Sequence, residues 1–172
     1  AFLIDEPPAA AIGAKIPIAQ ASGHMIINLG GGTTEVAIIS LGQLVEYKTI
    51  RIAGTKLDEA IIQQLRKKHN LIIGERTAED IKMKIGNALI EPTKTSEVKE
   101  TGERVMEVKG RDFQTGLPKI FEVGESSINE ALQKSLKQIL EGIKEVLAQT
   151  PPELAADIVD KGIVLSGGTA LL

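Results

Sequence analysis

The stretch Met25–Ser40, MIINLGGGTTEVAIIS, decides how the rest of the chain is read. Two runs rich in Ile and Val flank three consecutive glycines. Both runs favour strands, because β-branched side chains suit a pleated, packed surface. Gly30, Gly31 and Gly32 then form the turn between them. Glycine lets a backbone turn sharply or come very close to another group. Backbone N–H groups free of side-chain obstruction hold phosphate well, and the hydroxyls of Thr33 and Thr34 could add donors. The segment has neither the GxxxxGK[ST] spacing nor the lysine of a P-loop, and Glu35 stands where a dinucleotide fingerprint needs its third glycine. A tight hairpin turn with no ligand is the competing reading.

The neighbouring sequence predicts a mixed α and β chain. Phe2–Ile4 reads as a strand end, and Pro7 followed by PAAAIGA as a short helix of small residues packed closely on a neighbour. Leu44–Ile52 makes a third strand after a turn at Gly42, giving a meander. Thr55 is placed to N-cap a helix with Asp58 at its third position, and Leu57, Ala60, Ile61 and Leu65 share one face. A second helix is expected from Thr77, with Ala78, Ile81, Ile85 and Ala88 at helical spacing. From Glu97 to Val123 the pattern is that of strands, EVKETGERVMEVKG and LPKIFEVG, joined by the turn RDFQTG. Ser127 and Glu130 form the pattern of a capping box opening a long helix with Ile128, Leu132, Leu136, Ile139, Ile143 and Leu147 in its stripe. Thr150, Pro151 and Glu153 repeat that start signal, and GIVLSGG reads as a buried strand running into a glycine turn.

Composition excludes several classes. The 172 residues carry a net charge of −3, and only Phe2, Tyr47, Phe113 and Phe121 are aromatic, so no basic, aromatic-rich nucleic-acid surface is expected. There is no cysteine, hence no disulfide or thiolate metal site, which fits a reducing cytosol. No apolar run reaches the roughly 18 residues that span a bilayer, and AFLIDEPP has no signal-peptide character. Ala1 in place of an initiating Met, and an ending in LSGGTALL, lead to the expectation that both ends are cut. His24 and His69, lacking partners at ligand spacing, are expected at the surface. Glu35 is read as an exposed strand acid, RKKH at 66–69 as a solvated helix end, and Met25, Met83 and Met106 as core fillers.

A second strand–glycine–helix junction, LSGGTALL, and an acid at Glu6 ahead of the small-residue helix extend the constellation. LIDEPPAAAIGA, NLGGGTTEVAIISLG, IGERTAEDIK, TPPELAADI and GIVLSGGTALL together resemble the MreB family of bacterial actin-like proteins from end to end. The chain is similar to that family's second large domain. EPxAAAIG and GGGTT are shared in looser form with heat-shock chaperone ATPases, whereas GERTAE and TPPELAADI are more specific.

The resemblance implies an RNase H-like, actin-type ATPase domain of mixed α/β class. Its core lobe would comprise 1–54 and 125–172, interrupted by a smaller α+β lobe at 55–124. It implies ATP or ADP with Mg²⁺ as ligands. The filament subunit would be cytoplasmic, peripheral at the inner face of the cell membrane, self-assembling head to tail, and would set rod shape with the cell-wall elongation machinery. Membrane contact would come through the domain absent here. By motif position, Gly30, Gly31, Gly32 and Thr33 match the second phosphate hairpin. Glu6 matches the acid that positions the attacking water, Glu79, Asp80, Ile81 and Lys82 the segment lining ribose and adenine, and Gly167, Gly168 and Thr169 the adenosine turn. The family's first phosphate hairpin would lie before Ala1, leaving half a nucleotide cleft. The family hairpin usually begins with Asp, which holds waters around Mg²⁺; here the position is Asn28, so slow hydrolysis with retained nucleotide binding, and recovery in Asn28→Asp, are expected. The alternatives are a chaperone-type ATPase, which needs a peptide-binding domain after Leu172, and a sugar or acetate kinase, for which no base is evident.

Overall fold

The computed structural model describes residues 3–89 and 104–172. In chain order the elements are α1 (Glu6–Gly13), β1 (His24–Leu29), β2 (Thr34–Ser40), β3 (Gln43–Ile50), α2 (Gly54–His69), β4 (Leu71–Ile72), α3 (Glu75–Ile85), β5 (Val105–Asp112), β6 (Pro118–Gly124), α4 (Glu125–Gln149), α5 (Pro152–Lys161) and β7 (Ile163–Ser166), followed by a 3₁₀ turn at Gly168–Leu171. They fall into two units, Ala1–Gly54 with Lys137–Leu171, and Thr55–Leu136 with Leu172. Residues 125–136 of α4 therefore group with the second unit.

The first unit is built on a sheet of order β3-β2-β1-β7, antiparallel except for the parallel β1–β7 pair. Alternation along β1 and β2 sorts their side chains to two faces. Met25, Ile27, Val36 and Ile38 pack with Ile143, Val146, Leu154 and Ile158 of α4 and α5. Ile26, Ala37 and Ile39 pack with Ala10 and Ala11 of α1. Small residues at the second contact let the short helix lie close to the sheet, as its composition predicts. The central strands, covered on both faces, are continuous apolar runs, while edge strand β3 alternates exposed and half-buried residues. The strand expected at Phe2–Ile4 is not formed at Leu3 and Ile4, which are exposed, irregular chain. Strand β7 pairs on one side with β1, and its Ile163 and Leu165 are exposed, so it is not the buried strand its sequence predicts.

The second unit packs α2, α3 and the start of α4 against the antiparallel sheet β4-β5-β6. Its core joins Leu57, Ile61 and Leu65 of α2 to Ala78, Ile81 and Ile85 of α3, Val108 and Val123 of the sheet, and Ile128 and Leu132 of α4. The helical stripes are where the 3.6-residue period puts them. Met106 packs on this core, whereas Met83 is exposed rather than a core filler. Residues 97–103 of the expected first strand lie outside the described residues.

The helix starts differ from those read from capping patterns. Helix α2 begins at Gly54, so Thr55 lies inside it, and Asp58 is held by Lys82 instead, with Nζ 2.8 Å from Oδ1 and 2.9 Å from Oδ2. Helix α4 begins at Glu125; Ser127 Oγ is buried without a partner and Glu130 pairs with Lys68. Pro151 occupies the N-cap of α5, and the Thr150 hydroxyl turns back to donate to the Val146 carbonyl at 2.7 Å. Asp58, Glu130 and Thr150 are each taken by a tertiary or preceding-turn contact, whereas the Ser127 hydroxyl is buried away from any cap. His24 is buried, with Nε2 3.2 Å from Ser22 Oγ, and His69 stacks on Phe121 at 4.4 Å; neither is a free surface residue. At the end of α2, Arg66 lies 4.3 Å over the Phe113 ring.

The turn between β5 and β6 is organised by Asp112. Its Oδ1 accepts the N–H groups of Gln114 at 2.9 Å and Thr115 at 3.0 Å, and Lys119 Nζ lies 3.0 Å from Oδ2. The Thr115 N–H, then Lys119, hold the Asp112 carboxyl down at about 2. Arg104 and then Asn87 do the same for Glu125, also about 2. A carboxylate whose folded pKa is depressed stabilises the fold above its unfolded pKa and loses that contribution as pH falls through the folded value. The second unit should therefore lose stability from about pH 4.5 down to about 2. Asp112→Asn should flatten that decline in guanidinium midpoints measured against pH; an unchanged slope would place the acid sensitivity elsewhere. In the same sheet, a Cβ on Gly110 would lie 2.4 Å from the Ile72 carbonyl oxygen. Gly110→Ala should lower unfolding free energy by roughly 1–3 kcal/mol, as overpacking against backbone does, and a midpoint equal to wild type would refute the close approach.

Candidate functional site

The hairpin Gly30–Thr33 closes the β1–β2 ladder, in which Asn28 pairs with Glu35 and Leu29 with Thr34. Gly30 N–H donates to the Thr33 carbonyl at 2.9 Å. The Gly30 carbonyl accepts Gly54 N–H at 3.1 Å and the Thr169 hydroxyl at 2.8 Å. Thr34 is fully buried, and its hydroxyl is spent on the Ile52 carbonyl at 2.7 Å, so it is not the phosphate donor that its place in the motif suggests. These bonds tie down the base of the turn and leave its tip alone. Among the described residues, the N–H groups of Gly31 and Gly32 and the Thr33 hydroxyl donate to nothing, and both glycines are exposed.

Steric need does not explain Gly32. Among the described residues, the glycines with left-handed φ are Gly42, Gly116, Gly162 and Gly167, none of them in this hairpin. A Cβ on Gly32 would meet no atom within 4 Å, and one on Gly30 only the Thr33 carbonyl at 3.3 Å. A position that could carry a side chain yet holds glycine, in a turn with two adjacent unspent N–H donors, suits an anion that must come close.

The other turn is held by the opposite logic. Gly167 has φ +87°, and a Cβ there would lie 2.2 Å from the Leu29 carbonyl oxygen and 3.1 Å from Asn28 Oδ1. Its glycine is demanded by close packing of the chain after β7 on β1. Gly168 is open, and Thr169 makes the bond to Gly30 already described. Both turns thus meet at one end of the sheet.

Glu6, the first residue of α1, is exposed and reaches the same end. Asn28 Nδ2 donates to Glu6 Oε1 at 2.5 Å, and Ser166 Oγ donates to Asn28 Oδ1 at 2.9 Å. Glu35 shares the sheet face with Asn28, its cross-strand partner. It is buried rather than exposed: Tyr47 donates to Oε1 at 3.1 Å and Oε2 has no partner. Burial pushes its pKa up, the Tyr47 hydrogen bond opposes this, and the charges of Glu6 and Asp5 add to the rise. Sequence alone does not single out Ser166, and for Glu35 it favours an exposed strand acid over an approach to a phosphate-bound metal. Strand alternation and the single step from Gly167 were the available signals.

In the second unit, Glu79, Asp80, Ile81 and Lys82 lie on α3. Ile81 is a core residue, and Lys82 is engaged with Asp58. Glu79 lines a cavity of about 430 Å³ with Thr55, Asp58, Glu59, Glu75 and Arg76. Among the described residues no three His, Cys, Asp or Glu side chains cluster as a direct metal cage, and no helix is long and apolar enough to cross a membrane.

Comparisons with known proteins agree on one lineage. The chain is 47% identical to the cell shape-determining protein MreB of Escherichia coli over 99% of its own length and 47% of the relative's. It is 45% identical to the cell shape-determining protein Mbl of Bacillus cereus, over 99% of its length and 49% of that protein. It therefore spans about half the length of the curated relatives it matches. Among solved structures it is similar to MreB 5 of Spiroplasma citri crystallised bound to AMPPNP, with a TM-score of 0.88, 40% identity, and coverage of 98% of this chain and 48% of that one. The fold is thus the actin type of MreB 5. The profile of the MreB/Mbl protein family matches residues 1–172 throughout, and the chain belongs to that family.

Proposed function

We propose that this chain is the part of an ATP-binding, actin-like filament protein that grips nucleotide phosphates through the Gly30–Thr33 turn. The observation that carries the reading is the pair of exposed, unspent N–H donors at Gly31 and Gly32, with open space where a Cβ on Gly32 would sit. The AMPPNP-bound state of MreB 5 supports the choice of a nucleoside triphosphate over a simple anion. The turn at Gly167, Gly168 and Thr169 serves the nucleoside side, and its Thr169–Gly30 bond couples the two turns. Glu6 orders the water that attacks the terminal phosphate.

The donors at this end of the sheet are oxygens, including the carboxylates of Glu6 and Glu35. They suit a hydrated Mg²⁺, which keeps several waters and binds through one or two carboxylates and phosphate oxygens rather than a full protein cage. The metal would neutralise phosphate charge when bound.

The cell shape-determining names of the relatives support a cytoskeletal role in bacterial rod shape. The proposal includes head-to-tail self-assembly, which generates open filaments, a cytoplasmic place at the inner face of the cell membrane, and work with the cell-wall elongation machinery. The sugar or acetate kinase and chaperone alternatives lose ground to the family match along the whole chain.

Gly32→Ala in the full-length protein tests the phosphate grip. Open space around Gly32 means unfolding free energy should change by no more than about 0.5 kcal/mol, as at other unstrained surface positions. The methyl group instead blocks close approach, and ATP affinity measured by calorimetry should fall about tenfold or more, the loss of one charge-assisted N–H contact. Unchanged affinity at unchanged stability would refute the phosphate role of the turn.

A further inference from the structure

Three elements contribute one residue each to a directed hydrogen-bond chain: Ser166 at the end of β7, Asn28 near the end of β1, and Glu6 at the start of α1. Strand register builds it, since Asn28 and Ser166 are Cα partners in the parallel β1–β7 pair. Its polarity is fixed by chemistry. An ionised carboxylate only accepts, so the amide must present Nδ2 to Glu6 and Oδ1 to Ser166, whose hydroxyl then donates. Gly167 closes the back of the arrangement, because any Cβ there would lie 3.1 Å from Asn28 Oδ1. Aspartate at position 28 could not reproduce this chain, since it would set two carboxylate oxygens against each other at the 2.5 Å contact.

We propose that Asn28 is a positioning residue whose amide, backed by the Ser166 hydroxyl, holds the Glu6 carboxylate in the orientation in which Glu6 orders the attacking water. The inference rests on the nucleotide reading above. It also reverses one expectation drawn from family resemblance: the amide serves the Glu6 side of the site, so Asn28→Asp impairs hydrolysis instead of restoring it. Asn28 and Ser166 act as a matched pair, with Ser166 acting only through Asn28.

The test measures phosphate release and ATP affinity in the full-length protein with Mg²⁺. Asn28→Asp and Asn28→Ala should each lower kcat by about tenfold, the scale of one hydrogen bond to a charged group, with ATP affinity within about twofold of wild type, since the turn N–H groups are untouched. Ser166→Ala should lower kcat about threefold, Ser166→Thr should restore most of the rate, and the Asn28→Ala/Ser166→Ala double variant should be no slower than Asn28→Ala, the non-additivity of groups acting in series. Loss of fold would instead move affinity and melting temperature together. A faster Asn28→Asp enzyme, additive effects of the two alanines, or an unaffected Ser166→Ala would overturn the proposal. A second measurement needs no nucleotide: in NMR spectra of the full-length protein, the Asn28 side-chain amide protons should shift in both Glu6→Ala and Ser166→Ala. An amide signal indifferent to Glu6→Ala overturns the contact. A wild-type protein that binds and hydrolyses no ATP while showing this coupling overturns the nucleotide reading and leaves the Asn28–Glu6 contact standing.

Discussion

Burial of β1 and β2 on both faces is the constraint on which the first unit depends. Met25, Ile26, Ile27 and Val36 to Ile39 are almost completely shielded from solvent. Each of these side chains except Ala37 contributes about 1.5–3 kcal/mol by leaving water. Exposed ion pairs such as Lys48–Glu145 contribute about 0–1 kcal/mol. Apolar alternation therefore sets the register, and a one-residue slip would swap the side chains facing α1 with those facing α4 and α5. The turn that joins the two strands inherits this fixed register, which gives its tip a rigid base.

Much of this was legible in the residues because it depends on periodicity. Two-sided apolar runs flanking glycines mark β1 and β2, and the spacing of Leu57, Ile61 and Leu65 marks the buried face of α2. Two-residue β4 is too short to show any period. The cap patterns at Thr55–Asp58, Ser127–Glu130 and Thr150 fail for a physical reason: a hydroxyl or carboxylate has several possible partners, and for Asp58, Glu130 and Thr150 folding brings another one near. For Thr150 the winner is a carbonyl one turn back in the preceding helix.

Polar residues inside the fold were the other blind spot. His24 and Glu35 were read as exposed because they are polar, although their places in β1 and β2 put them on covered faces. Position in an alternating run outweighed residue type. The roles proposed for Glu6, Gly167 and Thr169 rest on family resemblance, since a lone acid before a helix or a lone glycine pair carries little meaning alone. What no pattern disclosed is that Glu6, Asn28 and Ser166, widely separated in sequence, are joined in one hydrogen-bond chain.

The glycines separate what the fold requires from what it leaves available. Gly167 and Gly110 have backbone atoms within 2.5 Å of where a Cβ would sit, so packing alone accounts for them. Gly32 and Gly168 have nothing within 4 Å. Glycine carries a conformational-entropy penalty that a chain would avoid by substituting alanine wherever space and φ allow. Where glycine stands unforced, exposed, and next to N–H donors that nothing in the fold uses, the fold supplies no reason for it. Local rules relaxed without structural need are expected at functional sites. Gly32 meets that description, in a turn whose base Gly54 and Thr169 hold through the Gly30 carbonyl.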